Sequence, residues 1–155
     1  MIPPDRPRVL LADDHRLVAE ALKSLLAPDF VLVGVVEDGR ELVKKAEELR
    51  PDVIVADIGM PQLNGIDALI RLRKNGNQVP VVFLTMHRDA SFARRALDAG
   101  AAGFVLKHSA STELTTAIRA ALSGRTYLTP HLAGEVLSAM REGPDHTEQP
   151  AEGLT

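Results

Sequence analysis

The chain has 155 residues, of which 45% are apolar and 25% charged, and its formal net charge is −3. These values indicate an ordinary globular protein with one domain and some chain to spare. The absence of cysteine excludes disulfides, thiolate metal sites and a cysteine nucleophile.

Membrane insertion and nucleic-acid binding also find little support in the composition. The first residues, MIPPDRPRVLL, lack the layout of a signal peptide, and no apolar run reaches the length of a membrane span. The basic residues are dispersed, and aromatic residues make up only 3% of the chain. We therefore expect a cytoplasmic protein that does not bind DNA through these residues.

The first third of the chain alternates between short apolar runs and helical periodicity. Residues 9–12 predict a buried strand. Apolar residues then recur at helical spacing over residues 17–25, and Pro28 marks the end of that helix. Residues 30–36 predict a second strand, and the spacing over residues 42–49 predicts a second helix.

The middle of the chain repeats this alternation. Residues 53–57 (VIVAD) predict a third strand, which ends on Asp57. Asn64 can cap a third helix, whose apolar positions lie between residues 66 and 72. Residues 80–85 predict a fourth strand.

The next segment predicts two more helices and one more strand. Asp89 can cap a fourth helix, which Gly100 ends. Residues 103–107 predict a fifth strand. Ser111 can cap a fifth helix, which Gly124 ends.

Strands that alternate with helices in this way predict an α/β domain. The near-continuous apolar strands indicate a parallel, doubly wound five-stranded sheet covered by helices on both faces. This domain occupies residues 7–124. A linker helix is expected within residues 125–141, and the composition of residues 142–155 indicates a disordered tail.

Most of the predicted strands end on polar residues. The first ends at Asp13 and Asp14, the third at Asp57, the fourth at Thr85 and the fifth at Lys107. In an open α/β sheet, ligands bind beyond the carboxyl ends of the strands. If these four strands are neighbours, three carboxylates, a hydroxyl and an ammonium meet in one crevice.

This set of groups favours phosphoryl chemistry. Three neighbouring carboxylates repel one another unless a cation joins them, and oxygen ligands favour Mg²⁺ over zinc or copper. The cation, Thr85 and Lys107 would suit the oxygens of a phosphoryl group. No serine or cysteine ends a strand, so Asp57 is the candidate acceptor of that group.

Each residue also has an ordinary explanation when it is taken alone. An Asp-Asp pair after a strand is usually a solvated turn, an isolated Lys107 would be a surface residue, and Thr85 suits a strand by propensity. Their occurrence together at one end of one sheet favours the functional interpretation.

The histidines lack the spacing of zinc ligands. His15, His87 and His108 lie just beyond predicted strand ends, and Met86 adjoins His87, so these residues can border the crevice. We interpret the histidines as residues that tune access or partner docking, not as metal ligands.

Several motifs, in their order and spacing, resemble the receiver domain of bacterial two-component response regulators. The resemblance covers residues 8–124. Its motifs are LLADD (10–14), VIVADIGMP (53–61), LNGID (63–67), VVFLT (81–85) and AGFVLK (102–107). The resemblance implies a flavodoxin- or CheY-like fold with strand order 2-1-3-4-5.

The resemblance also implies how the acidic residues act. In the family, Mg²⁺ is bound by the counterparts of Asp13, Asp14 and Asp57 and by the main-chain carbonyl of Gly59. A sensor histidine kinase donates a phosphoryl group to the residue that corresponds to Asp57. The domain assists its own phosphorylation and dephosphorylation and is not an enzyme for other substrates.

Three further residues correspond to the switch of the family. Thr85 would move toward the new phosphate, Lys107 would contact it, and the aromatic Phe104 would turn inward. Such a switch is a two-state equilibrium that a local change of charge displaces.

Two segments are similar to the NarL/FixJ type of transcription regulator, namely LADDHRLV (11–18) and GRTYLTP (124–130). Members of this type often pair as homodimers, and a linker joins them to a helix-turn-helix domain. We therefore expect the chain to be a fragment that ends before such a domain, through which alone it would contact DNA.

The sequence departs from the family pattern at three positions. His108 follows Lys107 where many receivers have a cis-proline, so a trans peptide is expected. Gly59 offers no side chain to the crevice, and His87 lies two residues beyond Thr85. Both of these positions influence phosphate lifetime in the family.

Three other functions compete with a phosphorylated receiver. A receiver-like module could act by protein contact without phosphorylation, although such modules commonly lose one of the acidic residues or the lysine. A phosphatase of the haloacid dehalogenase type would need an acid where Gly59 stands. A nucleotide-binding protein would need a glycine-rich loop after the first strand, where Asp13 and Asp14 stand instead.

Overall fold

The computed structural model describes residues 6–60, 62–86 and 90–142. Six strands form one parallel sheet in the order β2-β1-β3-β4-β5-β6. The strands are β1 (Arg8–Ala12), β2 (Val31–Val36), β3 (Val53–Asp57), β4 (Val81–Thr85), β5 (Gly103–Leu106) and β6 (Tyr127–Leu128). The α-helices are α1 (Arg16–Leu26), α2 (Gly39–Leu49), α3 (Gly65–Lys74), α4 (Ala90–Asp98), α5 (Ala110–Leu122) and α6 (Pro130–Glu142).

The central strands are apolar throughout because helices cover both faces of the sheet. Along β1, for example, Leu10 contributes to one core cluster and Val9 and Leu11 to the other. One cluster lies against α2, α3, α4 and α6, and the other lies against α1 and α5. The predicted α/β fold and its strand order 2-1-3-4-5 are therefore confirmed, with β6 added beyond β5.

The segment after α5 is part of the packed structure. Leu132 and Val136 of α6 are buried in the core cluster that includes Phe104, and α6 packs against α4. Buried Thr129 begins this segment: its Oγ1 accepts a hydrogen bond from Leu106 N at 3.1 Å, and its amide donates to Phe104 O at 3.0 Å. The helix that the sequence predicts after residue 125 thus packs on the domain.

Helix starts and stops agree with the sequence at some positions and differ at others. Asn64 caps α3 as predicted, since its Oδ1 accepts from Asp67 N at 2.9 Å. Gly100 follows α4 with a φ of 103°, a left-handed conformation that suits glycine. The predicted cap of α4, Asp89, lies outside the described residues, as does the predicted tail from residue 143 onward.

Two boundaries after β5 were predicted wrongly. The strand ends at Leu106, and a 3₁₀ turn over Lys107–Ser109 leads directly into α5. Ser111 therefore lies within the first turn of α5 and is not its cap. Among the described residues, no helix is long and apolar enough to cross a membrane.

Candidate functional site

The acidic residues meet where the strand order of the sheet reverses. The chain runs from β1 outward to β2 and then returns to β3 on the other side of β1. Ala12 of β1 pairs with Ala56 of β3, so the next residues, Asp13 and Asp57, emerge side by side. This reversal point at the carboxyl ends of the strands is where ligands bind in open α/β sheets.

Lys107 joins the two buried carboxylates. Its Nζ lies 3.1 Å from Asp13 Oδ2 and 3.1 Å from Asp57 Oδ2. The side chains of Lys107, Asp13 and Asp57 are 7%, 0% and 9% exposed, respectively. The turn that begins at Lys107 directs this side chain back across the end of the sheet, so that one cation balances two carboxylates.

Asp14 and His15 complete the cluster on the solvent side. The Asp14 side chain is 29% exposed, and its Oδ1 lies 3.2 Å from His15 Nδ1. The same nitrogen lies 3.2 Å from Asp13 Oδ1 and 3.8 Å from Asp57 Oδ2. The amide of His15 donates to Asp13 Oδ1 at 2.8 Å, which holds the turn after β1 in place.

A cavity of about 330 Å³ opens beside Asp57. Thr85, buried at the end of β4, lines this cavity, and so does the exposed Met86. The remaining lining residues are His15, Ile58, Gly59, Asn64, Ile66, Phe92 and Arg95. The volume suits a small group such as phosphate with its associated waters.

The pKa values of Asp57 and Lys107 both lie above their ordinary values. Burial raises the pKa of Asp57, and nearby Asp13 adds to the rise, while Lys107 and the amide of Gly59 oppose it. For Lys107, burial lowers the pKa, but the nearby carboxylates of Asp13 and Asp57 outweigh that effect. Lys107 is therefore a cation at neutral pH, and an ionised Asp57 is costly.

Two carboxylate oxygens of the cluster are available to bind a cation. Asp13 Oδ2 and Asp14 Oδ1 are shielded from solvent and accept no hydrogen bond from the described residues. Asp13 Oδ2 touches the Lys107 ammonium, and Asp14 Oδ1 touches His15, without hydrogen-bond alignment in either case. Buried carboxylate oxygens without hydrogen bonds, in a cluster of three acids, fit a hard divalent cation.

The structure brings together most of the residues that the sequence singled out. Asp13, Asp14, Asp57 and Lys107 form one cluster of contacts, and Thr85 lines the adjoining cavity. Gly59 lies exposed at the rim of that cavity, and its amide donates to Asp57 Oδ1 at 3.3 Å.

The other predicted residues lie further from the acids. Phe104 is fully buried in the core. His108 lines a separate apolar groove beside α1, which Met86 also borders. His87 lies outside the described residues.

The sequence interpretation did not predict the positions of two residues near the cluster. His15 was expected to border the crevice, whereas its Nδ1 contacts two of the acids directly. Arg95 lines the cavity, with its guanidinium 5.7 Å from the centre of the Phe92 ring. The position of His15 directly after the acidic pair was the sequence feature that could have indicated its contact.

Asp57→Asn is expected to increase stability at neutral pH. The pKa of Asp57 is raised in the fold, so the folded state favours the protonated carboxyl. The stability that this preference contributes is fully present below the ordinary pKa of aspartate and is lost as the pH rises through the pKa of Asp57 in the folded state. At pH 7 with EDTA, we expect the variant to gain about 1 kcal/mol in the free energy of unfolding, the usual scale of a single substitution. Urea unfolding of the variant and the wild type between about pH 4 and 7 measures this gain. If the difference in free energy of unfolding does not become smaller toward pH 4, the ionisation of Asp57 is not its cause.

Comparison with known proteins identifies the family. The family model described as "Response regulator receiver domain" matches residues 9–119. The chain belongs to the response regulator receiver domain family. The acid cluster at the end of the sheet, Lys107 and the cavity beside Asp57 all lie within the matched residues.

Individual relatives agree with this assignment. The receiver domain is 37% identical over 131 residues to the response regulator GacA of Pseudomonas viridiflava, covering 83% of this chain and 61% of GacA. It is 37% identical to the transcriptional regulatory protein LiaR of Bacillus subtilis, covering 96% of this chain and 71% of LiaR. The chain thus spans about three-fifths of the length of GacA.

A solved structure has the same fold. It is a two-component response regulator of the LuxR family from Aurantimonas sp. SI85-9A1, with a TM-score of 0.83 and 33% identity. The match covers 88% of this chain and 99% of that chain. The similarity therefore extends beyond the five-stranded core of the receiver domain.

Proposed function

We propose that this receiver domain accepts a phosphoryl group on Asp57 from a sensor histidine kinase and passes the change to a transcription output. The observation that carries the proposal is the contact of one buried cation, Lys107, with both Asp13 and Asp57 at 3.1 Å. That arrangement holds Asp57 at the floor of a small cavity, with positive charge already in place for a phosphate.

The reaction follows from the positions of these groups. An oxygen of Asp57 attacks phosphorus, and the bond from phosphorus to the donor breaks, whether the donor atom is a histidine nitrogen or the oxygen of acetyl phosphate. Lys107 remains as a counter-charge for the new phosphate, and Thr85 lines the space that the phosphate oxygens would occupy. The domain is in this sense a substrate that assists its own modification.

Mg²⁺ is the proposed cofactor. Asp13, Asp14 and Asp57 would hold it together with the main-chain carbonyl of Gly59, and the carboxylate oxygens without hydrogen bonds support this assignment. When bound, Mg²⁺ neutralises charge on the phosphoryl oxygens. Asp57 provides the nucleophile, and Asp13 orients Lys107.

The relatives support the wider role. LiaR is named as a transcriptional regulatory protein, and the Aurantimonas relative is named as a two-component response regulator. We accordingly propose a cytoplasmic regulator that pairs as a homodimer on phosphorylation and contacts DNA only through a helix-turn-helix domain. These assignments belong to the whole regulator rather than to the residues of this chain.

Phosphoryl uptake from acetyl phosphate tests the proposal. With Mg²⁺ present, intact-mass analysis of the wild type should show one added phosphoryl group, about 80 Da on this chemistry. Asp57→Asn and an EDTA-treated wild type should show none. Asp67→Asn is a matched control, because Asp67 lies exposed in the first turn of α3.

The opposite result would favour the phosphorylation-independent module. If the wild type stays unmodified while it is folded and binds Mg²⁺, the acidic pocket does not accept a phosphoryl group. If Asp57→Asn gains the same mass as the wild type, another residue is the acceptor.

A further inference from the structure

His15 brings a nitrogen atom into the acid cluster. Its Nδ1 lies 3.2 Å from Asp13 Oδ1, 3.2 Å from Asp14 Oδ1 and 3.8 Å from Asp57 Oδ2. The four residues can each offer one ligand atom, and these atoms all lie within 4.8 Å of one another. The hydrogen bond from the His15 amide to Asp13 fixes the backbone from which this imidazole extends.

These separations match those between ligands of one small cation. Ligands about 2.1 Å from an octahedral ion lie about 3.0 Å apart when they are adjacent and about 4.2 Å apart when they are opposite. The distances from His15 Nδ1 to the three carboxylates lie within or near this range. A cation among the carboxylates would therefore have the imidazole within reach after a small side-chain adjustment.

We propose that His15 is a fourth side-chain ligand of the cation, beside the three carboxylates, and that it makes the site selective for nitrogen-binding divalent cations, such as Mn²⁺, Co²⁺ and Ni²⁺, over Mg²⁺. Imidazole suits these ions, whereas Mg²⁺ prefers oxygen ligands and retained waters. The imidazole would add a ligand atom for the cation without adding a fourth negative charge to the three carboxylates. The inference deepens the proposed function, since it rests on a cation site at Asp13, Asp14 and Asp57.

A purely structural role for His15 makes a different prediction. If the imidazole only donates a hydrogen bond to the carboxylates, then its removal changes the affinity for all divalent cations by a similar factor. If it is a ligand, then its removal weakens transition-metal binding and leaves Mg²⁺ binding almost unchanged. The ratio of the two affinities distinguishes the roles.

The test measures the binding of Ni²⁺ and of Mg²⁺ to the full chain by calorimetry, with all variants at one fixed pH. The variants are His15→Ala and His15→Asn, since Asn keeps a polar group without the imidazole. His15 is 60% exposed at its side chain, so the fold should tolerate both changes. His108→Ala is the matched control, because His108 is exposed and lines a different groove.

Ni²⁺ affinity should fall by about tenfold or more in both His15 variants, with Mg²⁺ affinity within about threefold of the wild type and no change in His108→Ala. Pulsed EPR of bound Mn²⁺ should show a directly coordinated ¹⁴N nucleus that both His15 variants lose. Equal changes for Ni²⁺ and Mg²⁺, or no ¹⁴N coupling in the wild type, would overturn the ligand role.

The proposed function has a separate readout in these experiments. Suppose that the protein takes up the phosphoryl group with Mg²⁺, and that His15→Ala has the same metal selectivity as the wild type. This result overturns only the inference about His15. If Asp57→Asn leaves the binding of both ions unaltered, the cation site itself is wrong, and the inference fails with it.

Discussion

Lys107→Met is expected to reduce phosphoryl uptake by about a hundredfold and to destabilise the domain at neutral pH. The first effect is the usual scale of losing one charge-stabilising group from a transition state. The second arises because Asp13 and Asp57 would then share the end of the sheet without the cation that lies 3.1 Å from each. Methionine keeps the length and apolar stem of lysine, so packing changes little.

The expected loss is about 2 kcal/mol in the free energy of unfolding. Breaking a fully buried ion pair costs about 3–5 kcal/mol, and the value is smaller here because the site opens to solvent at Asp14. The ionisation of the carboxylates determines how the loss of stability changes with pH. Without Lys107, the pKa of Asp57 rises further, so the loss is small near pH 4 and grows as the pH rises toward 7.

Lys45→Met is the matched control for this experiment. Lys45 pairs with Glu48 at 3.5 Å on the surface of α2, where their side chains are 39% and 48% exposed. Such pairs contribute little, so this variant should keep its stability and its phosphoryl uptake. Urea unfolding with EDTA and intact-mass kinetics with acetyl phosphate measure both quantities. Equal stability of the two lysine variants at pH 7 would show that the buried ion pair does not matter to the fold.

The sequence alone could predict the sheet and the acid cluster. Strands buried on both faces must be apolar along their whole length, as in residues 53–56, so a terminal carboxylate such as Asp57 stands out. Parallel strands place their carboxyl ends at one edge, and this geometry brings Asp13 near Asp57 without any knowledge of side-chain conformation.

The remaining features depend on tertiary contacts that no local pattern records. β6 has only two residues, Tyr127–Leu128, too few to produce a periodicity, and it forms because the chain passes beside β5. The contact of His15 with the acids depends on one side-chain conformation at an exposed position. Ser111 was mistaken for a cap because the 3₁₀ turn after Leu106 starts the helix earlier than an ordinary loop would.

Gly65→Ala is expected to destabilise the domain even though alanine is the better helix former. Gly65 is the first residue of α3, and its amide donates to Ile58 O at 2.8 Å. A Cβ atom there would lie 2.6 Å from Asp57 O and 2.8 Å from Phe83 Cε1, closer than real contacts allow. The backbone of β3 must therefore move at the proposed phosphoacceptor.

We expect this variant to lose about 2 kcal/mol in the free energy of unfolding, the usual scale of an overpacked site. Its phosphoryl uptake should also slow, because Asp57 shifts relative to Lys107 and the cavity. Gly134→Ala is the matched control: Gly134 lies within α6, and a Cβ atom there meets nothing within 4 Å.

The same substitution should therefore have opposite effects at the two glycines. In Gly134→Ala, helix propensity acts without a clash, and the free energy of unfolding should rise by up to about 1 kcal/mol. Urea unfolding of the two variants beside the wild type measures both shifts, and uptake rates at equal folded fraction measure the effect on Asp57. If Gly65→Ala were as stable as Gly134→Ala, the close approach of α3 to β3 would not be what requires glycine at position 65.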